Sequence, residues 1–157
     1  PPIDGKHVTV IEHDAVRMIV LDSLLYTNKV AGLLGRKQRE WLADYLPVIR
    51  DRPVVLAVHH TLDDGDGDLL DAERLFALIR PHRHVQAVFY GHSHVWDLRK
   101  RDGIHLINLP AVGYNFRDQD PVGWVEARFH SRGVVLTLHA VGGNRVDDGK
   151  SIPFAWR

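Results

Sequence analysis

The stretch that decides the fold is Val54-Val55-Leu56-Ala57-Val58-His59-His60. A continuous apolar run of this length is too short for a helix and is typical of a strand buried on both faces. The run ends abruptly at two histidines. We therefore predict a buried strand at residues 54–58 whose end carries imidazole side chains.

A second strand of the same kind follows after a helix. Apolar side chains recur at helical spacing over residues 72–79, and Pro81 stops the helix. Residues 85–90 form the next apolar run, and Gly91-His92-Ser93-His94 comes directly after it. Because a strand–helix–strand crossover makes its two strands parallel, both histidine-bearing ends are expected at the edge of the sheet where open α/β folds bind ligands.

The histidines at this edge are candidate metal ligands. In extended backbone, residues two apart point to the same side, so His92 and His94 are expected to aim at one small volume while Ser93 turns away. A single histidine is more often a partly exposed strand-end residue, but two histidine-rich strand ends at one edge favour a metal site. His82 and His84, which flank Arg83, are predicted to be ordinary histidines outside any site.

Hydrophobic patterns elsewhere predict a β-hairpin, a helix and later antiparallel strands. The predicted elements are strands at 8–11 and 16–21, a helix at 36–50, and strands at 104–107, 124–129 and 134–138, with a turn at 131–133 between the last two. No internal boundary divides the chain, so we predict one domain over residues 1–157 with a loop-rich tail at 142–157.

The composition is that of a globular domain and excludes several classes of protein. The chain has 157 residues, of which 45% are hydrophobic and 25% charged, and its 20 basic residues balance its 20 acidic ones. This balance gives no field for nucleic acid, and the lack of a long apolar run predicts no membrane span or signal peptide, so a soluble protein is expected, with the cytoplasm favoured. Cysteine is absent and there are 11 histidines, so any metal must use nitrogen and oxygen ligands.

Several motifs resemble those of a known family. Val54 to Thr61 and Gly91-His92-Ser93-His94 are similar to the last two metal-binding motifs of the calcineurin-like metallophosphoesterases. Leu21-Asp22-Ser23, Gly32-Leu33-Leu34 and Gln38-x-x-Trp41-Leu42 resemble the segment that precedes them in the cyclic-nucleotide phosphodiesterase-like branch. The resemblance runs from about residue 19 to residue 112.

The resemblance implies an α/β fold. It implies the C-terminal half of a four-layer αββα metallophosphoesterase sandwich, with a mixed sheet and one βαβ unit followed by antiparallel strands. The partial domain would occupy about residues 1–141.

The resemblance also implies the site. Carried over residue by residue, it makes His59, His92 and His94 ligands of two divalent metal ions, of which Mn, Fe and Zn are candidates. Many members have a proline where this chain has Thr61, so the choice between His59 and His60 stays open. Three further residues are possible supporting or substrate contacts: His60, Asp22 and Tyr114.

The family's other half-site does not precede these histidines. Its D-x-H, G-D-x-x-D and G-N-H-[DE] motifs should come before His59, and they are absent. Gly67-Asp68-Leu69-Leu70-Asp71 matches the second motif in letters only, because it follows His59 and opens a helix. We predict that Asp68 or Asp71 caps that helix. The catalytic residues are therefore unknown, and the general acid is expected in a missing N-terminal part.

Two hypotheses about function follow. The first is a metal-dependent phosphoester hydrolase, a phosphodiesterase or phosphatase acting on a small phosphoester, present as a C-terminal fragment that is inactive alone. The alternative is a non-catalytic metal- or partner-binding module that has lost the carboxylate half-site. A lone half would expose the sheet face that its missing strands cover, so a missing N-terminal half or a homo-oligomer is expected as partner.

Overall fold

The computed structural model describes residues 2–3 and 5–157. Within them, the helices are α1 (Arg36–Tyr45), a 3₁₀ turn (Leu46–Val48) and α2 (Ala72–Ile79). The strands are β1 (Pro2–Ile3), β2 (Lys6–His7), β3 (Thr9–Glu12), β4 (Arg17–Val20), β5 (Val54–Ala57), β6 (Val85–Tyr90), β7 (Asp97–Arg101), β8 (Ile104–Asn108), β9 (Pro121–His130), β10 (Gly133–Gly143) and β11 (Ser151–Ala155).

A six-stranded mixed sheet forms the centre of the fold. Its strand order is β3-β4-β5-β6-β8-β7, with β4, β5, β6 and β8 parallel and the two edge strands antiparallel. The predicted hairpin, both helices and the buried strands at 54–58 and 85–90 are confirmed. The parallel pairing of β5 with β6 is also confirmed, so their carboxyl ends share one edge.

The predicted antiparallel strands after the βαβ unit are confirmed by the pairs β7/β8, β9/β10 and β10/β11, but the prediction of only one βαβ unit is wrong. Since β4 and β5 are also parallel, α1 makes a second crossover of the same kind. Strand β8 is likewise parallel to β6, because β7 folds back along the outside of β8 and lets the chain return in the direction of β6. Only long-range pairing decides this direction, and hydrophobic patterning carries no trace of it.

Besides the two-residue strands β1 and β2, the strands β7 and β11 escaped prediction because both are edge strands of unfavourable composition. Strand β7 reads Asp-Leu-Arg-Lys-Arg, and charged side chains are the usual protection of a sheet edge. Strand β11 lies within the predicted loop-rich tail and contains Pro153, which an edge position tolerates. The prediction of a loop-rich tail is therefore wrong at residues 151–155, where the chain forms a strand that pairs with β10.

The core has two parts, one on each face of the central sheet. On one face, Leu56 and Val88 pack with Leu42 of α1 and Leu75 of α2. On the other, a three-stranded sheet of order β11-β10-β9 packs through side chains such as Leu136. The described residues thus form three layers, a pair of helices and two sheets. No helix among them is long and apolar enough to cross a membrane.

The predicted capping of α2 is wrong. Asp71 occupies the N-cap position but makes no side-chain cap bond there. Its buried carboxylate instead accepts the backbone N–H groups of Leu34 at 2.9 Å and Gly35 at 3.0 Å and pairs with Arg39. Asp71 therefore ties the start of α1 to the start of α2, while Asp68 only closes a surface turn by accepting the Gly65 N–H at 2.9 Å.

His105 in β8 makes the stability of the fold depend on pH. It is buried, and its Nε2–H donates to the carbonyl oxygen of Ala155 in β11 at 2.9 Å. Burial lowers the pKa of His105 below its ordinary value of 6.5, so the unfolded chain binds the extra proton more readily. We expect the free energy of unfolding to be highest above that pH and to fall as the pH drops towards about 5.

Urea denaturation between about pH 7.5 and about pH 5 measures this dependence, in a range where carboxyl groups stay ionised. In His105→Gln, which keeps a donor for Ala155, the slope should become smaller but not vanish, since His82 and His84 also have pKa values lowered mainly by burial. An unchanged slope in that variant would contradict the assignment.

Candidate metal centre

Two loops at the carboxyl edge of the central sheet carry the candidate histidines, one after β5 and one after β6. They are joined by hydrogen bonds: the Gly91 N–H donates to the carbonyl oxygen of His59 at 3.0 Å, and the Thr61 hydroxyl donates to the carbonyl oxygen of Gly91 at 3.0 Å. The parallel register of the strands thus continues into the loops and holds the imidazoles together.

His59 and His92 meet directly. Nε2 of His59 lies 3.2 Å from Nδ1 of His92, and the His60 and His92 ring centroids are 4.8 Å apart. Two imidazole nitrogens bound to one ion at about 2.1 Å with an angle near 100° lie about 3.2 Å apart. The separation in this structure therefore fits two neighbouring ligands of one divalent ion.

His60 differs from His59 in that both of its ring nitrogens are already engaged. Its Nε2–H donates to the carbonyl oxygen of Val30 at 3.0 Å, and its Nδ1 accepts the Ser23 hydroxyl at 2.7 Å. The ring is buried, whereas His59 is exposed. The hydrogen bonding therefore favours His59 as the residue with a nitrogen available to a metal and His60 as its structural neighbour.

His94 lies beside two aromatic rings from the loop after β8. It stacks on Phe116 with ring centroids 4.4 Å apart and meets Tyr114 edge-on at 4.7 Å. Its Nδ1 is buried and has no hydrogen-bond partner among the described residues. An unpartnered buried nitrogen costs free energy unless a ligand satisfies it. His94 therefore has a ring nitrogen that is available to a ligand at this site.

The backbone of this segment differs from the extended form that was predicted. His92 and His94 have φ values of 72° and 58°, in the left-handed region that side chains with a Cβ rarely adopt. The two imidazoles consequently diverge, His92 towards His59 and His94 towards Phe116. Such strain is concentrated at functional sites, where the surrounding structure must hold it in place.

His59, His92 and His94 nevertheless line one cavity, of about 580 Å³. Apolar side chains from the ends of β4, β5 and β6 form much of its wall, and Tyr114 borders it. The cavity is large enough for a small phosphoester, and its apolar wall lowers the local dielectric around the imidazoles.

The surroundings of His59 and His60 lower their pKa values. Burial lowers the pKa of His59, and the neighbouring His92 and His94 lower it further. Burial also lowers the pKa of His60, with His92 as the second cause. Neutral imidazole is the form that binds metal, so the lowered pKa of His59 favours its binding-competent form.

The structure does not bring Asp22 to an imidazole. Its carboxylate accepts the backbone N–H of His7 at 3.0 Å and that of Leu24 at 2.9 Å. The residue that contacts a histidine is the adjacent Ser23, which sequence reasoning did not select. Its only signal was its place in the Leu21-Asp22-Ser23 motif, because a serine next to an aspartate has no distinctive pattern of its own.

Among residues 2–3 and 5–157, no three or more histidine, aspartate or glutamate side chains are arranged to hold a metal ion. The assignment of His59, His92 and His94 as ligands thus stays a prediction. The pair of His59 and His92 and the unpartnered nitrogen of His94 are the features that fit it.

Curated proteins related to this chain are cyclic-nucleotide phosphodiesterases. A 3′,5′-cyclic-nucleotide phosphodiesterase of Nostoc sp. is 29% identical over 107 residues, which cover 64% of this chain and 40% of that protein. The 3′,5′-cyclic adenosine monophosphate phosphodiesterase of Haemophilus influenzae is 27% identical over 152 residues, or 87% of this chain and 54% of that protein. The chain thus spans about half the length of these relatives. No protein-family model matches it.

A solved structure shares the fold. A dimetal phosphatase from Danio rerio superposes with a TM-score of 0.74 at 13% sequence identity, covering 98% of this chain and 62% of that one. The sequence relatives and this fold agree with the motifs that end β5 and β6. These similarities support the resemblance of this chain to the calcineurin-like metallophosphoesterases.

Gly32 packs closely against the ring of His60, beneath the candidate metal centre. A Cβ added at Gly32 would overlap the ring of His60, which its two hydrogen bonds hold in place. Gly32→Ala should therefore destabilise the protein by about 1–3 kcal/mol, as overpacking does. Chemical denaturation measures the change, and Gly113→Ala is the matched control, since a Cβ there meets nothing within 4 Å. Equal stability of the two variants would show that the His60 ring is not fixed.

Proposed function

We propose that this chain is the histidine-bearing part of a metal-dependent phosphoester hydrolase, with His59, His92 and His94 as ligands of two divalent ions. The observation that carries the proposal is the 3.2 Å approach of His59 and His92 at the joined ends of two parallel strands. These imidazoles meet because β5 and β6 pair in parallel and each strand is followed by a histidine-bearing loop. Mn, Fe and Zn are the candidate ions, since nitrogen and oxygen donors accept each of them.

The names of the relatives support a phosphodiester as substrate. Both the Nostoc and the Haemophilus proteins are named as cyclic-nucleotide phosphodiesterases. A cyclic nucleotide is therefore the first substrate to test, with other phosphodiesters and phosphomonoesters after it. The alternative of a non-catalytic module gains no support from these names.

Each residue of this chain has a distinct task in the proposed site. His59 and His92 present ring nitrogens to the same point, and His60 fixes the loop of His59 through Ser23 and Val30. Phe116 holds the ring of His94 from one side. When bound, divalent ions polarise a phosphoryl oxygen and lower the pKa of water enough to generate a nucleophile.

The remaining groups of the site are proposed to lie in the parent protein outside this chain. The chain covers only about half of its relatives, and the described site contains imidazoles without an adjacent carboxylate. Carboxylate ligands and the general acid would come from upstream residues, whose strands would complete a four-layer sandwich over the apolar cavity wall. A second copy of the chain is the other way to complete the site, and the chain alone is expected to be inactive.

Metal binding is the first test of the proposal. His92→Ala/His94→Ala should weaken metal binding by more than about 100-fold, because loss of a mere supporting partner already costs about 10–100-fold. Calorimetric titration with Mn²⁺ and Zn²⁺, together with elemental analysis after dialysis, measures the effect. His130→Ala, which changes an exposed histidine in β9, serves as the control and should bind like the wild type.

The activity of the full-length parent protein distinguishes the hydrolase proposal from the alternative of a non-catalytic binding module. Metal-dependent hydrolysis of cyclic AMP or of bis(p-nitrophenyl) phosphate, lost in the double variant, would support the hydrolase. Metal bound by the same histidines without hydrolysis of any phosphoester would instead favour the binding module.

Two single variants test which of His59 and His60 is the metal ligand. His59→Ala should lose metal affinity with little change in stability, because the ring is exposed. His60→Ala should cost about 2–4 kcal/mol of stability, since it leaves a cavity and unpartnered groups at Ser23 and Val30. Thermal unfolding and metal titration on both variants give the comparison. The reverse result would assign the ligand to His60.

A further inference from the structure

A second cluster of basic side chains lies at the opposite edge of the central sheet. The loop Arg80-Pro81-His82-Arg83-His84 joins α2 to β6, and Arg50 follows the 3₁₀ turn just before β5. Both segments precede their strands, whereas the candidate metal centre follows them. Strand β6 has six residues, so the cluster lies about 20 Å from that centre.

The cluster surrounds a pocket of about 320 Å³. The residues that line it are Arg50, Pro81, His82, Arg83 and His84. Two permanent positive charges and two imidazoles thus face one volume, and no carboxylate is among these lining residues. The His82 and His84 rings lie 5.5 Å apart, nearly perpendicular to each other.

The loop that presents these side chains is fixed by hydrogen bonds. The His82 N–H donates to the carbonyl oxygen of Ile79 at 3.0 Å, and the Gln86 side-chain amide donates to that of Arg83 at 2.8 Å. The carbonyl oxygen of His84 accepts the Val54 N–H at 2.7 Å. Because the backbone is held at three points, little ordering would be needed when a ligand binds.

The positive charge of the pocket is not neutralised by the protein. Among the described residues, neither Arg50 nor Arg83 forms an ion pair, although most arginines elsewhere in the chain do. Asp51 is next to Arg50 in sequence, but its carboxylate pairs with Arg17 and Arg52.

The guanidinium group of Arg157 adds to the positive electrostatic potential around the pocket. Arg157 donates to the carbonyl oxygens of His82 at 2.9 Å and Val85 at 3.2 Å, which anchors its charge beside the loop. Burial lowers the pKa of Arg157, and Arg83 lowers it further, whereas Asp102 acts in the opposite direction as the weakest influence. Like charges are therefore gathered here with little compensation.

His84 also has an unused polar atom. Its Nε2 is buried and has no hydrogen-bond partner among the described residues. Burial lowers the pKa of His82, and Arg50 is the second cause. Burial and His82 lower the pKa of His84, a backbone hydrogen bond with Leu46 raises it, and Arg50 lowers it further. An anion seated in the pocket would balance the charges of Arg50 and Arg83.

We infer that this pocket binds the phosphate group of a small phosphorylated molecule or free phosphate. Planar guanidinium groups match a compact anion with several acceptor oxygens, and arginine is preferred over lysine at such sites. The volume accommodates a phosphate group together with part of the molecule that carries it. The inference rests on this edge of the sheet alone and does not depend on the proposed hydrolase.

Amide chemical shifts of the ¹⁵N-labelled, metal-free chain provide the test, at constant ionic strength set with chloride. Inorganic phosphate should give saturable shifts at His82, Arg83, His84 and Arg50. AMP should shift the same amides and adenosine should not. Tighter binding of AMP than of phosphate would identify a phosphate monoester as the ligand, and equal binding would identify phosphate itself.

Variants of the pocket residues show whether this pocket is the site at which phosphate binds. Arg50→Ala/Arg83→Ala should weaken binding by about tenfold or more, the usual scale for loss of charged hydrogen bonds. Both residues are exposed, so folding should be retained, and Arg132→Ala changes an exposed arginine in the β9–β10 turn as a matched control. The inference is wrong if shifts do not saturate, if they fall at residues 59–60 and 91–94 instead, or if Arg132→Ala weakens binding equally.

Discussion

The parallel pairing of β5 with β6 is the constraint on which the rest of the structure depends. Its register places Ala57 beside Phe89, and the ladder continues through Val58 and His59 into the two loops. Every hydrogen bond of that ladder fixes the distance between a histidine on one loop and a histidine on the other. Imidazoles 33 residues apart in sequence, His59 and His92, meet because two buried backbones run side by side.

The same sheet separates two kinds of chemistry at its two edges. At the carboxyl edge, His59, His92 and His94 line a cavity with largely apolar walls. At the amino edge, Arg50 and Arg83 surround a pocket whose charge the protein leaves uncompensated.

The histidine loops also depend on packing beneath them. Gly32 lets the backbone approach the ring of His60, and Ser23 with Val30 uses both nitrogens of that ring. His59 is left as the exposed neighbour with a free nitrogen. Two adjacent and chemically identical side chains thus have different surroundings, since His60 is buried with both ring nitrogens hydrogen-bonded and His59 is exposed.

The sequence by itself determined the class of fold, the two helices, the buried parallel strands and the histidines at their ends, because apolar runs and helical spacing follow from local burial. Tertiary structure alone decided the remaining features. The edge strands β7 and β11 have charges or proline and pair only because a sheet edge accepts them. The left-handed backbone of His92 and His94 and the different hydrogen bonding of His59 and His60 arise from contacts with distant residues, which no local pattern records.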